Sequence, residues 1–148
     1  MDYETVRAGL EQAIPYNRHV GLEVLEVGDG IGIVRLPEAD VLKNHVGSQH
    51  AGVLFSAGEA ASGGAFVGAF AERLGEITPL ARRAEIDYVK LAKGPITATA
   101  RLAEEKAALL ERLDVDGKVE FAVVVDLADE DGNRVAAMTV HWHVRKNG

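Results

Sequence analysis

Residues 51–71 read AGVLFSAGEAASGGAFVGAFA, a run of small and apolar residues that contains a single charged side chain, Glu59. Length and composition predict one long helix over about residues 52–72. Because this helix is apolar on nearly all sides, the rest of the chain must cover most of its surface. Its five glycines and its central carboxylate argue against a membrane span, so we expect no membrane association.

The segments around this helix are typical of an antiparallel sheet. An amphipathic helix is predicted over about residues 2–14, and Pro15 ends it. A short helix or ordered excursion is predicted over 104–113, and strands are predicted over 22–27, 31–36, 83–91, 96–102, 118–127 and 134–145. Runs of adjacent strands indicate an antiparallel sheet with its helices on one side, and the sheet must curl to bury the central helix. The 148 residues therefore form one α+β domain, residues 1–148.

Charge and composition exclude several classes of function. The net charge is −7 and the sequence pI is about 5.2, whereas a nucleic-acid site requires a basic face, so we expect no nucleic-acid partner. The absence of cysteine removes disulfides, thiolate metal ligands and cysteine nucleophiles. Acidic residues stand near the start, where a signal peptide carries Lys or Arg, so we expect a cytoplasmic protein.

The block that leads into the central helix resembles a known family. Residues 44–55 read NHVGSQHAGVLF, and the pattern is similar to that of hotdog-fold acyl-CoA thioesterases. The nearest branch is that of the phenylacetate-pathway and 4-hydroxybenzoyl-CoA thioesterases, together with an uncharacterised relative group. In this family an Asn precedes His-Gly-Gly by six residues, and an acid follows the His by nine. Asn44, His50 and Glu59 match these positions, whereas Ala51 replaces the first Gly and Gly63 stands where some relatives carry Thr or Ser.

The resemblance implies a fold, an activity and an assembly. The fold is the hotdog fold, an antiparallel sheet wrapped around a long central helix. The activity is hydrolysis of acyl thioesters of coenzyme A or of acyl carrier protein, without a cofactor. The assembly is a homodimer whose sites straddle the interface, and the sequence leaves open whether two dimers form a homotetramer.

Glu59 is the central candidate for catalysis. An ionised carboxylate there can activate water as a general base or attack the thioester carbonyl itself, and the sequence does not distinguish the two roles. The backbone N–H groups of Ala51 and Gly52, at the start of the helix, are candidate donors to the oxyanion. Eight residues separate Ala51 from Glu59, about 12 Å along a helix, so we expect the acid of one chain to face the helix start of another.

Further candidates flank these groups. Asn44 and His50 are expected to orient the loop or the thioester, and their structural alternatives are a turn former and a helix N-terminal residue that bonds backbone. Lys90 and Lys93 are candidates for binding the phosphates of coenzyme A, with solvated strand ends as the alternative.

Three small residues are expected to complete the substrate site. Ser56, Ser62 and Gly63 lie within one helical turn of Glu59, and we expect them to form a notch on the same face.

Two alternative functions remain open. His45 and Glu59 have the fourteen-residue spacing of the His and Glu of hotdog 3-hydroxyacyl-thioester dehydratases, although the accompanying Phe-Pro-Gly and Pro-Gly-Val spellings are absent. Gly63 in place of a hydroxyl residue permits a non-catalytic acyl-CoA-binding module. His141 and His143 share a face of the last strand, but no third ligand is evident, so no metal site is predicted.

Overall fold

The structure is a computed structural model that describes residues 1–148. Its helices are α1 (Tyr3–Ala13), α2 (Pro15–Val20), α3 (Ala51–Ala69) and α4 (Lys106–Asp116). Its strands are β1 (Glu23–Gly28), β2 (Ile31–Leu36), β3 (Ile77–Tyr88), β4 (Ile96–Leu102), β5 (Lys118–Ala128) and β6 (Arg134–Lys146). Short 3₁₀ segments lie at Asp40–Leu42 and Ala71–Glu76. None of the four helices combines the length and the apolarity that crossing a membrane requires.

The six strands form one antiparallel sheet in the order β1-β2-β4-β5-β6-β3. The sheet curls around α3, which packs against β1, β2, β4, β5 and β6 and meets β3 through a hydrogen bond between Tyr88 and Ala51. This arrangement confirms the predicted α+β hotdog fold. β1 and β3 are the two edge strands, and β3 extends beyond the part of the sheet that α3 covers.

Several element boundaries differ from those predicted. α4 runs over Lys106–Asp116 rather than 104–113, β1 runs over Glu23–Gly28 rather than 22–27, and three further differences involve Pro15, the central helix and β3. Pro15 does end α1, but it also begins α2, because a helix's first residue needs no backbone N–H. The central helix runs from Ala51 to Ala69 rather than over 52–72. β3 begins at Ile77, six residues before the predicted start, and it contains Pro79. Proline is tolerated there because β3 is an edge strand, where a missing N–H need not break the hydrogen-bond ladder.

Two glycines let α3 lie directly on the sheet. A Cβ atom on Gly68 would come 1.8 Å from the carbonyl oxygen of Gly28, and one on Gly32 would come 2.3 Å from the carbonyl oxygen of Ala61. No side chain fits at either place, so the small residues of the central helix set its distance from β1 and β2.

The core lies between α3 and the inner face of the sheet. Phe66 of α3 stacks on Trp142 of β6, with ring centroids 5.2 Å apart, and Phe70 stacks on Phe121 of β5 at 5.5 Å. These contacts anchor one side of α3 and leave its opposite side free to carry a site.

Candidate active site

One side of α3 is not covered by its own sheet. The residues of α3 that are not buried recur every three or four positions, so they form one continuous stripe along the helix. We call this the open stripe; it consists of Ala51, Gly52, Phe55, Ser56, Glu59, Gly63 and Val67. Glu59 is its only ionisable residue, so any charge-dependent chemistry on α3 must use this carboxylate.

The Glu59 carboxylate has no partner within the chain. The side chain is half-buried, and only its backbone carbonyl takes part in a side-chain hydrogen bond, which Ser62 donates. Burial raises the pKa of the Glu59 carboxyl above its ordinary value, with no cation or donor to oppose the effect. A half-buried acid without a compensating partner costs free energy and is typical of functional sites.

Ser56 and Gly63 border Glu59 on the open stripe. The Ser56 hydroxyl donates to the carbonyl oxygen of Gly52 at 3.0 Å and lies 2.9 Å from the hydroxyl of Tyr16. A Cβ built on Gly63 would meet no atom within 4 Å. Gly63 therefore leaves open space beside the carboxylate, whereas Ser56 on the other side is in contact with Tyr16.

Ser62 does not belong to this notch, so the prediction that it shares the face of Glu59 is wrong. Its side chain is fully buried, donates to the Glu59 carbonyl at 2.7 Å and accepts from Trp142 Nε1 at 3.3 Å. Three residues along a helix correspond to a rotation about 60° short of a full turn. That rotation turns Ser62 towards the sheet, whereas Gly63 stays on the open side.

The start of α3 is capped by His50. The His50 Nδ1 atom accepts the N–H of Gly52 at 2.8 Å, so the proton of the neutral ring lies on Nε2 and is free to be donated. The N–H of Gly52 is thereby engaged. The N–H of Ala51, the first helical residue, has no acceptor within the chain. Of the two predicted oxyanion donors, only Ala51 presents an unpaired N–H in this conformation.

Asn44 shapes the loop that precedes the helix. Its Oδ1 atom accepts the N–H groups of Val46 at 3.0 Å and Ser48 at 3.1 Å, which forms an Asx turn. His45, in the same turn, is exposed and makes no hydrogen bond within the chain. The amide oxygen of Asn44 therefore organises the loop, and its contact with a substrate remains a prediction.

The structure adds Gln49 and Tyr88 to the helix start. The Gln49 amide is buried and donates to the carbonyls of Pro37 at 3.0 Å and Gly94 at 3.1 Å, while its Oε1 atom is buried without a partner. The Tyr88 hydroxyl donates to the carbonyl of Ala51 at 2.9 Å, and burial raises its pKa. Neither role has a sequence signal, because both depend on contacts between distant segments.

Lys90 and Lys93 lie on the β3–β4 loop beside this helix start. The loop is held there because Gln49 N–H donates to the carbonyl of Ala92 at 2.8 Å and the Gly94 carbonyl accepts from the Gln49 side chain. Both lysines are exposed, and neither forms a salt bridge. The loop that carries these two exposed cations is thus anchored at Gln49. A backbone hydrogen bond from Asn133 and, less strongly, the charge of Lys90 lower the pKa of the Asp129 carboxyl.

The two histidines of β6 lie apart from this site, on the outer face of the sheet. His141 Nε2 lies 2.8 Å from Glu85, and His143 Nδ1 lies 3.0 Å from Glu120. No three side chains of His, Cys, Asp or Glu converge in a geometry that would hold a metal ion. Each histidine thus forms a separate cross-strand pair with a carboxylate.

Comparison with known proteins places the chain in a family. The model of a domain of unknown function, DUF4442, matches residues 3–144. Among proteins of curated function, none matches the sequence significantly. A protein of unknown function from Pseudomonas aeruginosa, described as a probable thioesterase, is 30% identical, with a TM-score of 0.87 over 97% of this chain and 95% of that one.

Two more distant solved structures share the fold. The PaaI protein of the phenylacetic acid degradation operon of Escherichia coli is 17% identical, with a TM-score of 0.75 over 97% of this chain and 93% of that one. A hypothetical thioesterase of Streptococcus pneumoniae, solved with coenzyme A, is 19% identical, with a TM-score of 0.67 over 86% and 88%. These likenesses confirm the resemblance to hotdog-fold thioesterases. The chain belongs to the DUF4442 family, whose match covers almost its whole length.

Proposed function

We propose that the protein hydrolyses acyl-CoA thioesters, with the Glu59 carboxylate as general base or nucleophile. The observation that carries the proposal is the carboxylate itself, which is half-buried on the open stripe without a partner. Because burial raises its pKa, the ionised form is a stronger base than an exposed carboxylate.

Both roles of Glu59 lead to the same products. As a base, Glu59 removes a proton from water while the water oxygen attacks the carbonyl carbon; the C–S bond then breaks and the thiolate leaves. As a nucleophile, Glu59 attacks the carbonyl carbon, expels the thiolate and forms an anhydride that water hydrolyses. In each case the developing oxyanion requires a donor, and the unpaired N–H of Ala51 supplies one. The N–H of Gly52 supplies a second donor when the His50 ring no longer accepts its hydrogen bond.

The site is proposed to combine two chains. Within one helix, the Ala51 N–H lies about 12 Å from Glu59, too far for one carbonyl group to contact both. The edge strand β3 supports a homodimer because it is twelve residues long and its inner-face residues Ala84, Ile86 and Tyr88 are only partly buried within one chain. Long exposed edge strands tend to pair with another strand, and a symmetric β3–β3 contact would bring a second copy over the open stripe.

Coenzyme A is the proposed carrier of the acyl group. Lys90 and Lys93 support this choice because they are exposed, form no salt bridge and belong to a loop that is anchored to Gln49, next to the helix start. In a chain of net charge −7, a local pair of cations is required to hold an anionic ligand. The coenzyme A bound to the Streptococcus pneumoniae neighbour supports this choice by analogy of fold.

Thiol release from a panel of acyl-CoAs and acyl carrier protein thioesters tests the proposal. We expect Glu59→Gln to lower kcat by a factor of about 10² to 10⁴ while acyl-CoA binding is retained, because the amide keeps the shape but cannot accept a proton. Glu111→Gln, which replaces an exposed carboxylate on α4, is the matched control and should hydrolyse like the wild type. Unchanged turnover in Glu59→Gln would reject the assignment.

A 3-hydroxyacyl thioester separates hydrolysis from dehydration. Hydrolysis releases free thiol, whereas a dehydratase that uses His45 and Glu59 forms an enoyl product and releases none. Binding of acyl-CoA without either product would instead indicate a non-catalytic module.

A further inference from the structure

A pocket of about 320 Å³ lies between α2, the 3₁₀ segment at Asp40–Leu42 and the start of α3. Most of its wall is apolar or aromatic, and the remainder consists of Lys43, His50 and Gly52. We call it the α2 pocket; its apolar residues are Tyr16, Val20, Val41, Leu42 and Val53.

The α2 pocket opens beside the proposed position of the thioester carbonyl. His50 and Gly52, which line the pocket, flank Ala51 in the chain, and Ala51 carries the unpaired N–H. Tyr16 links the pocket wall to the open stripe, because its hydroxyl lies 2.9 Å from the hydroxyl of Ser56. When a thioester carbonyl is bound at Ala51, either its acyl group or its pantetheine group is therefore adjacent to this pocket.

The residues of the pocket wall favour the acyl side of the thioester over its pantetheine side. The pantetheine arm carries amides and leads to phosphates, and burying amides against an apolar wall without partners is costly. Lys43 offers no free cation there, because its ammonium group lies 3.4 Å from Asp40 and 3.9 Å from Glu38. The unpaired Lys90 and Lys93 belong to the β3–β4 loop, which contributes no residue to the pocket.

Two large residues of the pocket wall have exposed surface that a ligand can cover. Val41 is 91% exposed and Tyr16 is 56% exposed, although both are large and mainly apolar. Covering such surface with an apolar group is favourable in proportion to the area removed from water.

We propose that the α2 pocket receives the acyl group of the thioester, and that the preferred substrates carry an apolar acyl group of single-ring or medium-chain size. The inference rests on the proposed thioesterase function. A volume of about 320 Å³ is near the lower end of the range for small-molecule sites, which matches an acyl group of this size.

Acyl-group selectivity of a Val41→Asp variant tests the assignment. A carboxylate at the rim of the pocket opposes an apolar acyl group but has less effect on acetyl. We expect the ratio of kcat/KM for hexanoyl-CoA to that for acetyl-CoA to fall about tenfold or more. Val115→Asp, at a 77% exposed position on α4, is the matched control and should leave the ratio unchanged. Because Val41 is almost fully exposed, the variant is expected to fold, and its melting temperature checks this.

A binding measurement separates failure of the inference from failure of the function. Hexanoyl-CoA and free coenzyme A are titrated into Glu59→Gln, with and without Val41→Asp. We expect hexanoyl-CoA to bind more tightly than coenzyme A, and Val41→Asp to remove most of that difference. Wild-type hydrolysis with an unchanged ratio and unchanged binding in Val41→Asp would overturn the pocket assignment and leave the thioesterase intact. If the wild type hydrolyses none of the acyl-CoAs, the thioesterase function is rejected. The difference in binding between hexanoyl-CoA and coenzyme A would then still test whether the pocket binds the acyl group.

Discussion

At the residue scale, Glu59 is the one partly buried acid of the chain that has no hydrogen-bond or salt-bridge partner for its carboxylate. Glu59 lies among apolar neighbours on α3, and no residue of its own chain neutralises it. Ser62, three residues on, is fully buried but has both a donor and an acceptor. The contrast shows that a polar residue of this helix can be satisfied, so the isolation of Glu59 is specific to its position.

The raised pKa of Glu59 predicts a pH-dependent cost in stability. The folded state holds the proton more tightly than the unfolded state, whose reference pKa is 4.5. Stability contributed by the protonated form is therefore present below pH 4.5 and is lost as the pH rises through the folded-state pKa. We expect Glu59→Gln to be more stable than the wild type at pH 7, and the difference to vanish below pH 4.5.

Urea unfolding at several pH values measures this difference. Glu111→Gln should stay within about 0.5 kcal/mol of the wild type throughout, as expected of a surface substitution. A Glu59→Gln protein that is less stable than the wild type at pH 7 would show that the carboxylate has a stabilising partner.

At the element scale, α3 has two sides with opposite requirements. The side that faces β1 and β2 needs glycine where backbone meets backbone, as at Gly68 and Gly28. The open stripe has free space at Gly63 instead. The same residue type therefore serves close packing on one side and an open notch on the other.

Alanine substitutions on the two sides should have opposite effects on stability. Gly68→Ala places a Cβ 1.8 Å from a carbonyl oxygen, so we expect destabilisation of about 1–3 kcal/mol or more. Gly63→Ala meets no atom of the chain and improves helix propensity, so we expect a gain of about 0.5–1 kcal/mol. Chemical denaturation of the two variants measures both values. Equal destabilisation by the two would contradict the assignment of Gly63 to the open side.

At the scale of the whole molecule, the open stripe of α3 and the partly exposed inner face of β3 are the surfaces that a second chain covers in the proposed dimer. The sheet covers most of α3, whereas the inner face of β3 is only partly buried within the chain. Since Tyr88 at the end of β3 bonds to Ala51 at the start of α3, the free edge and the helix start are structurally joined. Dimer formation and hydrolysis are therefore expected to be lost together.

A charge on the inner face of β3 tests this link. We expect Ile86→Lys to convert the proposed dimer into a monomer and to abolish hydrolysis, because the interface would have to bury an unpaired ammonium group. Asp87→Lys, the next residue, lies on the outer face and should remain dimeric and active. Sedimentation velocity and thiol release on the same preparations give both readouts. An active wild-type monomer would contradict a site built from two chains.

Much of the architecture follows from local patterns in the sequence. The apolar run at 51–71 predicts a buried central helix, and β2 and β4 lie at the predicted residues 31–36 and 96–102. Alternation and helical period are properties of neighbouring residues, so they can be read without knowing the fold. The region of the candidate site was identified differently, by the resemblance of the spacing of Asn44, His50 and Glu59 to the pattern of a known family.

Tertiary structure alone decided how that region is arranged. It turned Ser62 into the core, let the His50 ring engage the N–H of Gly52, and brought Tyr16 and Tyr88 to the two sides of the helix start. These outcomes depend on which distant segments pack together, and no local pattern encodes that choice. The sequence by itself determined a hotdog domain with an acid in its central helix, whereas packing decided which side of that helix stays open and which hydrogen-bonding groups remain unpaired there.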